Sequence, residues 1–157
     1  MKTHQDRARI AIALAGIGFA AMMGIATGRG SVAQAQERYS VWDGVYTEEQ
    51  ATRGKDEYEY NCGSCHIHDL SGDSIKDTPA LAGGDFLDEW GGKTVGELLE
   101  YMSTNMPADS RGSLGKSTYA DIAAYILKVN TFPAGKEPLG NDPARLAKTF
   151  IDREPKK

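Results

Sequence analysis

Cysteine is almost absent from this 157-residue chain, which has only Cys62 and Cys65. A disulfide between residues so close would close a tiny strained loop and staple nothing, so a disulfide-built scaffold is excluded. Histidine is nearly as scarce, with His4, His66 and His68. Cations do not predominate: 18 Lys and Arg stand against 22 Asp and Glu. A nucleic-acid binder would need the opposite balance and a basic face. Internal repeats and low-complexity tracts are missing, and no segment shows a convincing strand pattern.

What is present begins with a leader-like segment. Met1–Arg9 is polar and carries Lys2, Arg7 and Arg9; Ile10–Thr27 is an uninterrupted run of apolar and small residues. Ala33-Gln34-Ala35 then has the small-x-small pattern of a signal-peptidase site, so residues 1–35 are expected to be a cleaved signal peptide and the mature chain to start at Gln36 in the periplasm. Retention of residues 10–27 as a membrane anchor is the alternative, because the run approaches spanning length. Cleavage removes Lys2, Arg7, Arg9 and Arg29 with one acid, Asp6, and takes the formal charge from −4 to about −7. That balance permits docking to a basic partner without itself showing an acidic patch.

The rest reads as one all-α domain. Residues 36–46 form an N-terminal extension, 47–135 the domain proper and 136–157 a C-terminal extension. Thr47-Glu48-Glu49-Gln50 has the pattern of a capping box and opens a helix toward Asn61, with Ala51, Gly54, Tyr58 and Cys62 on one face. A second helix starts near Thr94, carries Val95, Leu98, Leu99 and Met102 as its apolar stripe, and must stop by Pro107. A third opens at Ser117 or Thr118, turns Tyr119, Ile122, Tyr125, Ile126 and Val129 inward, and ends at Asn130 and Pro133. The Gly-, Asp- and Ser-rich loop 67–93, with a helical turn at Asp85–Trp90, is long enough to need something to wrap. Asn141-Asp142-Pro143 signals a short helix toward Asp152, followed by a solvated Lys/Arg tail.

The chemistry sits at Cys62-Gly63-Ser64-Cys65-His66, a C-x-x-C-H haem attachment pattern. Two thiols three residues apart stand on one side of a helical turn and can each add to a haem vinyl group. The next residue then lies beneath the ring, where an imidazole can bind iron. Gly63 and Ser64 are small enough for the backbone to approach the porphyrin edge. A covalent staple to a large apolar body is also what a domain of this size needs. A thioredoxin-like pair would require a βαβ setting, which is missing. Structural zinc needs four ligands, and His66 and His68 are too close in sequence to complete a tetrahedron with the thiols. The candidates for a sixth iron ligand are Met102, Met106 and His68. Core packing accounts for Met102, while His68 is too near the proximal ligand to reach the other face of the ring. Met106 is favoured, because Pro107 holds it extended just past the helix end.

Gly54, Tyr58, Cys62, Cys65 and His66, with Asp121–Ile126, resemble the first and last helices of the class I cytochromes c, over roughly Thr47 to Gly135. The resemblance implies the class I cytochrome c fold around one covalently bound haem c per chain, and close crossing of the two helices with Gly54 against Tyr125. Thr78-Pro79-Ala80-Leu81 is similar to the loop whose proline carbonyl accepts the proximal histidine's ring N–H, which assigns that part to Pro79. Asn105-Met106-Pro107 is similar to the distal-ligand loop. Trp90 matches loosely, either as an indole donor to a haem propionate or as a ring packing the haem edge. Ser40–Tyr46 and Asn130–Gly135 look like those of bacterial members that accompany periplasmic quinoprotein dehydrogenases. The implied activity is one-electron transfer rather than catalysis, from such a dehydrogenase toward a terminal oxidase or another cytochrome. A haem-based gas sensor or peroxidase-like enzyme is the alternative if the Met106 ligand is absent or labile.

Overall fold

The computed structural model describes residues 37–140 and 142–155. The chain divides into two units, 1–34 and 35–157, and the signal-peptide and anchor expectations for residues 1–35 lie outside the described residues. Among those described, no helix is long and apolar enough to cross a membrane.

The second unit is built on the crossing of α1 (Glu48–Asn61) and α5 (Lys116–Val129). Thr47 caps α1, its hydroxyl accepting from the Gln50 N–H, and Glu48 and Glu49 complement the positive end of the helix. The expected capping box is only half made. Instead of turning back to Thr47, the Gln50 side chain is buried and grips Leu139: its Nε2 donates to the Leu139 carbonyl (2.9 Å) and its Oε1 accepts the Leu139 N–H (2.6 Å).

Ala51, Gly54 and Tyr58 form the buried face of α1. Gly54 is where the two helices meet, for a Cβ there would lie 1.8 Å from the Asp121 carbonyl oxygen. The glycine makes room first for the α5 backbone at Asp121 and Ile122, and Tyr125, one turn further along α5, packs on Tyr58 with centroids 5.5 Å apart. Arg53 closes the crossing with a two-pronged ion pair to Asp121 (2.9 and 3.1 Å). The start of α5 is Lys116, one residue before the expected Ser117, with Gly115 at its N-cap. Of the five positions expected to face inward, Tyr119, Ile122 and Ile126 are buried and Tyr125 and Val129 half-buried, and the buried stripe also takes in Ala120, Ala123, Ala124 and Leu127.

Short helices α2 (Gly63–His66) and α3 (Gly83–Trp90) and the longer α4 (Val95–Asn105) complete the body. Thr94 and Glu97 make a full capping box at the start of α4. The C-terminal extension departs from expectation. Helix α6 covers only Pro143–Leu146, and the chain continues as β2 (Thr149–Phe150), pairing in parallel with β1 (Tyr39–Ser40). Ile151 is fully buried, its N–H and carbonyl bonded to Lys93 and Gly92. Arg153 binds the Leu87 carbonyl and the Asp88 carboxylate. Residues 153–155 are exposed, as expected of a solvated tail, although Arg153 reaches back to α3.

Candidate haem site

A cleft of about 1120 Å³ opens between α2, α3, α4 and the loops beside them, with Leu98, Ile122 and Ile126 in its lining. Protein interiors leave few voids larger than a water molecule. An apolar-floored space of this size, at the upper end of ligand-pocket volumes, fits a large flat apolar molecule.

Cys62, Cys65, His66, Pro79, Trp90 and Met106 all line this cleft. The two thiols are free, Cys62 half-buried and Cys65 exposed. Burial, followed by the neighbouring Cys65, pushes the Cys62 thiol up to about 11, which keeps it protonated at neutral pH.

His66 ends α2 and is almost buried, at 9% exposure. Its Nδ1 lies 2.9 Å from the Pro79 carbonyl oxygen. A carbonyl can only accept, so Nδ1 carries the proton and the Nε2 lone pair is left to a metal. Pro79 is itself held. Leu81 donates to Leu70 (2.8 Å), Asp73 and Thr78 pair through both backbone groups (2.9 Å each), and Asn130 links the Leu81 carbonyl to the Gly83 N–H (2.9 Å each). Behind His66, Ile67 has φ 63° and ψ 150°, a region that suits glycine and strains a β-branched residue. Its carbonyl is pinned by the hydroxyl of fully buried Tyr58 (2.7 Å) and the Leu70 N–H (3.1 Å).

Met106 caps α4 in extended geometry, φ −120° and ψ 152°, as a residue before proline should be. Met102, assigned to the core, is buried and also lines the cleft, so both methionines reach it. His68 is exposed and does not line it; the imidazole instead lies over Gly63, whose added Cβ would be 2.9 Å from its Nδ1. Trp90 stacks edge-on with Tyr101 at 5.5 Å, and Lys93 stands over its ring. Among the described residues nothing accepts the Trp90 indole N–H, and no buried side-chain nitrogen or oxygen lacks a partner, so this donor keeps access to the cleft or to solvent. Asn130 and Tyr119 were legible as a helix stop and a core ring. Their bonds to loop backbone carry no sequence pattern.

Residues 49–126 match the family described as cytochrome C oxidase, cbb3-type, subunit III. The chain carries a class I cytochrome c domain. Domains of this family bind haem c covalently and transfer electrons, and the donor set Cys62, Cys65 and His66 in an apolar cleft fits that group. The cytochrome is also similar to a solved structure, the crystal structure of the sulfane dehydrogenase SoxCD from Paracoccus pantotrophus. Identity is 27%, coverage is 53% of this chain and 44% of that one, and the TM-score is 0.42. This cytochrome therefore spans less than half the length of that chain. No curated protein matches it.

Proposed function

We propose that this cytochrome is a periplasmic one-electron carrier, or the electron-accepting subunit of a dehydrogenase, with one haem c per chain. Cys62 and Cys65 hold the haem as thioethers, and His66 and Met106 are its axial ligands. The observation that carries this reading is the His66–Pro79 hydrogen bond at 2.9 Å inside the cleft that Met106 also lines. It turns an imidazole lone pair toward a metal at the one position the C-x-x-C-H spacing assigns to iron.

When bound, the haem supplies a reversible one-electron couple, and a methionine sulfur on iron favours the reduced state relative to a second histidine. The protein's part is to hold both ligand segments still. With His66 and Met106 both on the iron, no site would remain for oxygen or peroxide, which separates a carrier from a haem enzyme or sensor. Trp90 serves as a donor at the cleft, suited to a propionate. The donor protein is proposed to be a quinoprotein dehydrogenase, because Ser40–Tyr46 and Asn130–Gly135 are like those of cytochromes that accompany such enzymes, and the acceptor a terminal oxidase or another cytochrome. Export is supported by the charged, apolar and Ala-Gln-Ala order of residues 1–35.

The test is the optical spectrum of the full chain produced with c-type maturation, oxidised and reduced, with and without carbon monoxide. A low-spin spectrum with the weak methionine–iron charge-transfer band and no response to carbon monoxide is expected. A high-spin spectrum or ready carbon monoxide binding would remove Met106 as a firm ligand and bring the sensor or enzyme reading forward. N-terminal sequencing should find Gln36 first; Met1 would mean a retained anchor.

A further inference from the structure

Three buried tyrosines among the described residues spend their hydroxyls on backbone carbonyls: Tyr46 on Phe132 (2.6 Å), Tyr58 on Ile67 (2.7 Å) and Tyr119 on Met106 (2.6 Å). The third differs in kind, because its acceptor is the carbonyl of the distal-ligand residue itself. Helix α4 ends at Asn105, and Met106 leaves it in extended geometry. The Met106 N–H still bonds the Met102 carbonyl (2.9 Å), and its own carbonyl takes the Tyr119 hydroxyl and the Gly112 N–H (3.2 Å). Tyr119 is 3% exposed in the first turn of α5, whereas residues 108–113 of the loop between α4 and α5 are exposed. The same hydroxyl accepts a long bond from the Leu114 N–H (3.4 Å), so one oxygen ties together both ends of the loop.

A loop with so few buried contacts opens at little cost unless something pins it. The helix that precedes position 106 holds its N–H but not its carbonyl, since Met106 leaves the helix in extended geometry before Pro107. We infer that Tyr119 is a positioning residue for the distal ligand: its hydroxyl holds the Met106 backbone so that the sulfur stays on iron in both oxidation states. The inference rests on Met106 being the ligand, as proposed above. Tyr119 touches neither the iron nor a redox partner in this scheme; it acts through Met106 and sets the fraction of time the sixth position is open.

The experiment uses the haem-loaded full chain. Tyr119→Phe keeps the ring and its packing and removes only the hydroxyl. Tyr46→Phe is the matched control, for it loses a buried hydrogen bond of the same length at a residue that does not line the cleft. Carbon monoxide binding to the reduced protein, the methionine–iron charge-transfer band and the unfolding midpoint are measured on all three proteins. Tyr119→Phe should bind carbon monoxide about tenfold faster, which corresponds to about 1.4 kcal/mol in the opening equilibrium, and should lose the band at a lower temperature. Tyr46→Phe should lower the unfolding midpoint and leave both haem readouts at the wild-type value. Gly112→Ala gives an arm independent of the tyrosine, because φ +69° strains any side chain at the second donor to the same carbonyl; it should move the haem readouts in the same direction.

A rate for Tyr119→Phe within twofold of wild type, or an equal rise in Tyr46→Phe, overturns the inference. If Tyr119→Phe does not accumulate, Gly112→Ala with unchanged readouts overturns it. A wild-type protein without the band that binds carbon monoxide freely fails at the earlier step, taking down the Met106 assignment and this inference with it.

Discussion

At the scale of residues, the Pro79 carbonyl does for His66 what no side chain within α2 could do. A helix positions the imidazole but leaves its tautomer open, and an acceptor 2.9 Å from Nδ1 decides it. The thiols can be separated experimentally. Cys65→Ala should leave a haem held by one arm, visible as a shifted reduced spectrum and partial loss of haem under denaturing electrophoresis; a full, normal attachment would exclude Cys65 as a thioether. The methionines are separable too, which matters because both reach the cleft. Met106→Ala should open the iron to carbon monoxide and lower the potential. Met102→Ala should instead cost about 2–5 kcal/mol of stability, the range for emptying a buried methionine site, and leave the iron closed. The reverse result would transfer the ligand role to Met102. His68 has a sequence position as suggestive as that of His66, yet it lies over Gly63 outside the cleft. Helix α2 ends at His66 and Ile67 leaves it with φ 63° and ψ 150°, so the chain turns before His68 and proximity in sequence carried little information there.

At the scale of elements, glycine has opposite meanings at two helical positions. In α1, a methyl group at Gly54 would run into the Asp121 carbonyl at 1.8 Å, and the backbone of α5 cannot move without parting the main helix crossing. Gly54→Ala should therefore cost about 3 kcal/mol, the upper part of the overpacking range. In α3, a methyl group at Gly84 meets nothing within 4 Å, so Gly84→Ala should stabilise by about 0.5 kcal/mol through helix propensity. Urea unfolding of the two variants checks both signs, and a neutral Gly54→Ala would mean the helices are free to separate. Helices α1, α4 and α5 were legible from their apolar spacing, with capping residues Thr47 and Thr94 marking the starts of α1 and α4, Pro107 the end of α4 and Asn130 the end of α5. Strands β1 and β2 were not, since two residues are too few to show alternation and the partners lie more than 100 positions apart. Gln50 was misassigned for a related reason. Its pattern predicts a local bond, but burial beside Leu139 offered two bonds to one side chain. The resemblance named the right glycine in Gly54, but spacing places a close approach without saying that the backbone of Asp121 and Ile122 comes nearest to it.

At the scale of the molecule, the two extensions work as one brace. The Trp42 indole N–H donates to the Asp152 carbonyl (2.8 Å), Arg38 pairs with Asp152, and Arg153 reaches Leu87 and Asp88. Ile151, beside them, bonds the backbone of Gly92 and Lys93, so residues far apart in the chain meet at the α3–α4 junction from which Trp90 and Lys93 enter the cleft. The charge around that cleft is uneven. Asp77, Asp85, Asp88, Glu89 and Asp109 line it against Lys76 and Lys93. Lys93 is engaged by Glu89 and Lys76 by Asp73, and the formal charge of residues 36–157 is about −7. A field of this sign speeds the approach of a cation and slows that of an anion, and salt screens both beyond about 8 Å at physiological ionic strength. Oxidation of the reduced cytochrome by a small cationic cobalt complex should accordingly slow as salt is raised, whereas oxidation by ferricyanide should accelerate. Stopped-flow measurements of both at several ionic strengths decide the matter. Two slopes of the same sign, or none, would mean that the net charge is spread away from the cleft and does not steer a partner. Opposite slopes would tie the acidity to the route by which electrons leave.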